Sequence, residues 1–152
     1  AVDLSLRCAP SSVRPHVVST AVEHPAVSRY LDALAAAGAL SVSYVPAGPR
    51  GHPAPESVAA AVTASTVLVS AMYVQNEIGT ASPLPEIAAA VRKRAGEVGA
   101  ALYLHTDGAQ AFGKVPGAVV RRELADSDLV TVVGHKVGCP KGIGALYVGA
   151  KL

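Results

Sequence analysis

A β-branched run passes straight into a lysine in Val132-Val133-Gly134-His135-Lys136. Leu129-Val130-Thr131-Val132-Val133 has the composition of a buried strand, and Ile143 to Val148 forms a second apolar run after Pro140 and Gly142. A lysine held between two buried strands is costly unless it is paired, neutral or used covalently. Lys136 is therefore a candidate for imine chemistry with a carbonyl group; the competing reading is a solvated turn lysine. Gly134 is expected to permit a sharp backbone change. Three other apolar runs deliver polar side chains from the same kind of place. His16 to Thr20 is followed by Glu23-His24, Val67 to Met72 by Gln75-Asn76-Glu77, and Leu102 to Thr106 by Asp107 and Gln110. In open parallel sheets the ligand crevice lies outside the carboxyl ends of the strands, so these residues read as one site assembled from scattered sequence.

Each of them has two readings. Asp107 can hold a proton on a heterocyclic nitrogen, because a nearby carboxylate favours the protonated form, or it can cap a helix. Gln110 can hydrogen-bond a phenolic oxygen or sit in an ordinary helical turn. Asn76 can bind a carboxylate or ring oxygen or serve turn chemistry. His24 can lay its imidazole on a ring face or cap the segment that follows, and His135 can donate to a phosphate or simply pack. A different chemistry would place His24, His105, Asp107 and His135 around a metal. His105 and Asp107, two apart, share a face if the strand continues that far. That reading leaves Lys136 and Gln110 without work and matches no metal spacing, so no metal is expected.

The elements that must position these residues alternate. Strands are expected at His16–Thr20, Leu40–Val45, Thr66–Met72, Ala101–Thr106, Leu129–Val133 and Ile143–Val148. Helices are expected at about Ala26–Ala37 after Pro25, Glu56–Ala64, Glu86–Val98 and Ala118–Ala125, with an irregular or helical lead-in over Ala1 to Arg14. The basic run Arg92-Lys93-Arg94 reads as a solvated helix face. Strand–helix alternation implies an α/β fold with a mainly parallel sheet and flanking helices, closed by a strand pair joined too tightly to be parallel.

Composition bounds the function. The chain has 152 residues, 51% of them hydrophobic and 16% charged, which suits one domain with a well-buried sheet. A net charge of +2 without a basic stripe argues against a nucleic-acid partner. Val58 to Val74 is uncharged but interrupted by Thr63, Ser65, Thr66 and Ser70, so no membrane span is expected. Cys8 and Cys139 form no disulfide framework, which suits a reducing compartment, and Cys139 reads as a small buried thiol.

Four segments, Ser19-Thr20-Ala21-Val22-Glu23-His24-Pro25-Ala26-Val27, Asn76-Glu77-Ile78-Gly79-Thr80, His105-Thr106-Asp107-Gly108-Ala109-Gln110 and Gly134-His135-Lys136, resemble in order and spacing the NifS-like enzymes. These are the cysteine desulfurases and selenocysteine lyases of the class V aminotransferase type, which use pyridoxal 5'-phosphate. The resemblance runs from Pro15 onward. It implies that Lys136 carries the cofactor as an imine, Asp107 pairs with the pyridine nitrogen and His24 stacks on the ring. It further implies that Gln110 contacts the phenolic oxygen, His135 the phosphate, and Asn76 the ring oxygen or substrate carboxylate. Lys136 and His24 would be the catalytic pair acting on a small amino acid, selenocysteine or cysteine, in a homodimer of the cytoplasm, or alternatively of the mitochondrion. Val133 stands where desulfurases usually have a phosphate-binding Ser, and the stretch from Thr131 to Lys136 resembles the selenocysteine lyases more closely. Gln75 replaces a usual Asn, Gly108 a usual Ala or Val, and Val137-Gly138-Cys139-Pro140 an aromatic-containing stretch. The family's phosphate-cradling turn and its small C-terminal domain, with the nucleophilic cysteine loop and carboxylate-binding arginine, have no counterpart here. Residues 1–152 are therefore expected to be a single partial cofactor-binding large domain, inactive in isolation; the alternatives are another class V aminotransferase-type enzyme or a non-catalytic truncated domain.

Overall fold

The computed structural model describes residues 1–7 and 13–149, so Cys8 lies outside the described residues. Six strands form one sheet in the order β2-β1-β3-β4-β5-β6: β1 (His16–Thr20), β2 (Ser41–Val45), β3 (Thr66–Ser70), β4 (Tyr103–Asp107), β5 (Leu129–Val133) and β6 (Gly144–Val148). The first five are parallel, and β6 pairs antiparallel with β5, as the short connection requires. The helices are α1 (Val2–Arg7), α2 (Pro25–Ala36), α3 (Pro55–Ala60), α4 (Leu84–Val98) and α5 (Gly117–Glu123).

Alternation along the strands divides the core. Val18, Val69 and Leu104 pack with α3 and α4 on one face, while Val17, Leu68 and Leu129 pack with α1 and α2 on the other. The chain leaves β1 for β2 on one side and returns through α3 to β3 on the opposite side of β1. The order of strands therefore reverses between β1 and β3, the place where such sheets open a crevice.

Several boundaries move for identifiable reasons. Helix α3 stops at Ala60 rather than Ala64, because the Thr66 hydroxyl accepts the Thr63 amide and the Thr63, Ser65 and Thr66 hydroxyls bond one another; such local bonds compete with the helix. Strand β4 begins later and runs on through Asp107, whose register partner is Thr131. Gly134 is needed for close approach and not for a left-handed turn. A Cβ there would stand 2.8 Å from the Ile143 carbonyl oxygen, which accepts the Gly134 amide at 2.9 Å.

The basic run of α4 is more than a solvated face. Arg92 donates to the Leu102 carbonyl and to the buried Asp128 carboxylate, and Asp128 also accepts the Leu104 amide at 2.7 Å. Helix α4 is thereby tied to the start of β4 and β5. Asp128→Ala would strand a buried amide and an arginine together, so a loss of about 3 kcal/mol in urea unfolding is expected, with Asp128→Asn costing less. A loss below about 1 kcal/mol for the alanine variant would reduce the pair to an ordinary surface bridge.

Candidate active site

Parallel pairing brings the carboxyl ends of β1 to β5 to one edge, and the six candidate residues lie on the segments that leave it. Asp107 is the last residue of β4 and is buried. Its Oδ1 accepts the Ala109 amide at 2.9 Å, so it shapes a turn without capping a helix. Among the described residues it has no cationic partner. A buried carboxylate with one oxygen engaged and no counter-charge is suited to a protonated ring nitrogen. Gln110 follows in that turn, its Oε1 taken by the Lys114 ammonium and its amide N–H groups free to donate.

His24 is exposed and accepts the Ala26 amide on Nδ1 at 3.1 Å, capping α2. That bond leaves Nε2 to carry the proton of the neutral ring. Asn76 is exposed on a turn in which Gln75, its neighbour, accepts the Glu77 and Ile78 amides. His135 and Lys136 occupy a 3₁₀ turn, Gly134–Lys136, directly after β5. Both are exposed, which corrects the expectation of a lysine enclosed between buried strands: β6 itself is open to solvent. The Lys136 amine makes no hydrogen bond or ion pair among the described residues. Cys139 is likewise exposed and free, not a buried thiol, since the loop after Lys136 lies over no core.

Three features escaped sequence reasoning. The first is a relay across the sheet interior: His105 Nδ1 lies 2.9 Å from Ser70 Oγ and Nε2 lies 2.8 Å from Thr131 Oγ1. Burial pushes the His105 pKa down to about 4, so at neutral pH it is an uncharged spacer under Asp107, with both ring nitrogens engaged by hydroxyls. Among the described residues no group of three His, Cys, Asp or Glu gathers as a metal site would. The relay also engages Thr131, the one hydroxyl on the same face of β5 as Val133.

The second is Glu23. The Thr20 hydroxyl donates to its Oε1 at 2.9 Å, while Oε2 is buried with no hydrogen-bond partner among the described residues. Burial foremost, with the nearby Asp107 carboxylate adding, raises its pKa to about 8. The third is a groove of about 980 Å³ between α5 and the sheet, lined by Phe112, Val115, Val120, Leu124 and Val132. It lies on the face of β5 opposite Thr131, with Lys114, Arg121 and Tyr147 beside the apolar lining.

Residues 2–152 match the aminotransferase class-V family, and the chain belongs to that family. It is 38% identical over 133 residues to the cysteine desulfurase of Nostoc sp. (strain PCC 7120), an alignment covering 88% of this chain and 31% of that protein. A solved NifS-like protein superposes with a TM-score of 0.84 at 28% identity, covering 99% of this chain and 39% of that one. SspA in complex with cysteine superposes at 0.73 with 32% identity, over 89% of this chain and 36% of that one. The chain spans about a third of the length of the curated relatives it matches. The sheet, with five parallel strands and an antiparallel sixth, is the α/β fold shared with these NifS-like structures.

The buried acid makes a stability prediction. A carboxyl whose folded pKa of about 8 exceeds its ordinary 4.5 binds more protons folded than unfolded between those values. Its stabilising effect is whole below pH 4.5 and lost as pH rises to 8. His105 acts in the opposite sense between pH 6.5 and 4, so the difference between parent and Glu23→Gln isolates Glu23. In urea unfolding the variant should gain on the parent by a few kcal/mol, to order of magnitude, between pH 5 and 8.5. A difference that does not change with pH would show that Glu23 is ionised throughout.

Proposed function

We propose that this chain is part of the cofactor-binding domain of a pyridoxal 5'-phosphate enzyme that removes sulfur from L-cysteine and leaves alanine. The observation that carries this reading is the convergence of His24, Asn76, Asp107, Gln110, His135 and Lys136 on one sheet edge. It draws further support from relatives that are cysteine desulfurases and a structural neighbour that holds cysteine. When bound, pyridoxal phosphate supplies an electron sink for the carbanion formed at the substrate α-carbon.

The chain's own residues divide the remaining work. Lys136, an exposed amine with no partner among the described residues, is the point of covalent attachment and, once released, the base whose Nζ takes the substrate α-proton. Asp107 holds a proton on the pyridine nitrogen through the oxygen that Ala109 leaves free. His24 covers the ring face with its imidazole, Gln110 donates to the phenolic oxygen, His135 donates to the phosphate, and Asn76 meets the ring oxygen or substrate carboxylate. The resemblance of Thr131–Lys136 to the selenocysteine lyases supports L-selenocysteine as the alternative substrate for the same site. We further assign the parent protein to a homodimer in a reducing cytoplasmic or mitochondrial setting, with which the free thiol of Cys139 accords.

Two outcomes test this. Pyridoxal phosphate added to the chain, followed by visible spectroscopy, borohydride reduction and peptide mapping, should place the covalent adduct on Lys136. An adduct on Lys114 or Lys141 instead contradicts the site. In the complete parent enzyme, Asp107→Ala should slow α-proton removal by on the order of a hundredfold or more with the fold intact, assayed with both amino acids. Near-normal turnover would return Asp107 to turn formation alone.

A further inference from the structure

Two carboxyl groups are buried at the strand reversal. Glu23 follows β1 and is 8% exposed; Asp107 ends β4 and is 7% exposed. Strand β3 lies between β1 and β4, and the Ser70 hydroxyl and Met72 backbone approach Glu23 from it. Neither carboxyl has an ion-pair partner among the described residues. Like charges in a poorly solvated space disfavour double ionisation, so a proton held by one of the two relieves the pair. The hydrogen bonds distinguish them. Asp107 takes a backbone amide on Oδ1, whereas Glu23 takes the Thr20 hydroxyl on Oε1 and keeps Oε2 buried without a well-formed hydrogen bond among the described residues, Ser70 and the Met72 backbone being weaker donors nearby, an arrangement that suits an uncharged acid better than a carboxylate.

We propose that Glu23 is a positioning residue of this site, a neutral acid that adds no second charge beside Asp107 where a cationic ring nitrogen is met. The identity of that nitrogen rests on the function proposed above; the division of charge between the two carboxyls does not. The groups facing Glu23 are Thr20 and the adjoining His24 after β1, Ser70 and the Met72 backbone on β3, and Asp107 on β4, with His105 behind Ser70. Among them Asp107 is the one other carboxyl group. Glu23 thus acts through Asp107, and Glu23→Gln should preserve the arrangement while removing the titration.

The test is a carboxyl ¹³C NMR titration of this chain, without ligand, labelled at the Asp and Glu side chains. One Glu resonance, missing in Glu23→Gln, should stay protonated through neutral pH and titrate near 8. Asp107→Asn should move the Glu23 midpoint downward by about half a pH unit or more. A Glu23 midpoint in the ordinary carboxylate range, or one unmoved by Asp107→Asn, overturns the proposal. If Glu23→Gln does not fold, through-bond assignment of Glu23 in the parent chain lets the Asp107→Asn arm decide alone. No cofactor enters this measurement, so failure of Lys136 labelling would overturn the functional reading and leave the division of charge between the carboxyls untouched.

Discussion

Parallel pairing leaves a strand little freedom in where it delivers its next residues. Ser19, Ser70, His105 and Leu129 stand side by side across β1, β3, β4 and β5, and each strand ends within a few residues of that row. Whatever follows Thr20, Ser70, Asp107 and Val133 is therefore gathered at one edge, although the segments are tens of positions apart in sequence. The strand order reverses between β1 and β3 at that edge, the position at which open sheets of this kind bind ligands. The site is a consequence of register before it is a consequence of side chains.

The same register makes the sheet interior polar near that edge. On the face that α1 and α2 cover at the other end, Ser70, His105 and Thr131 satisfy one another across three strands. A second histidine, His16, bridges Thr66 and Ser43 at the opposite end of β1. Buried polar groups are tolerable only when paired, and both histidines are. Glu23 Oε2 is the exception near the site, and a poorly satisfied carboxyl beside Asp107 marks where the protein holds electrostatic tension for a ligand to meet.

Much of this was legible in the residues. The strands His16–Thr20 and Leu129–Val133 have the bounds that β-branched composition implies, and the antiparallel closing pair followed from its short connection. Other features depend on neighbours that no local pattern contains. Asp107 belongs to β4 because Gly108 bonds the Thr131 carbonyl, although aspartate disfavours strands. Glu23 looks like any acid after a strand until β3 and β4 fold beside it. Arg92 reads as solvated until Asp128 arrives beneath it. Lys136 and Cys139 read as enclosed because two apolar runs flank them, but β6 is an edge strand open to water along its length.

We propose the ligand site at one edge of the sheet, and not in the groove beneath α5. Amide NMR of the ¹⁵N-labelled chain during titration with pyridoxal phosphate tests that placement most directly. Shifts should concentrate on the segments after the strand ends, around residues 23–24, 75–77, 107–110 and 134–136. Shifts concentrated instead on Phe112, Val115, Val120 and Leu124 would contradict it.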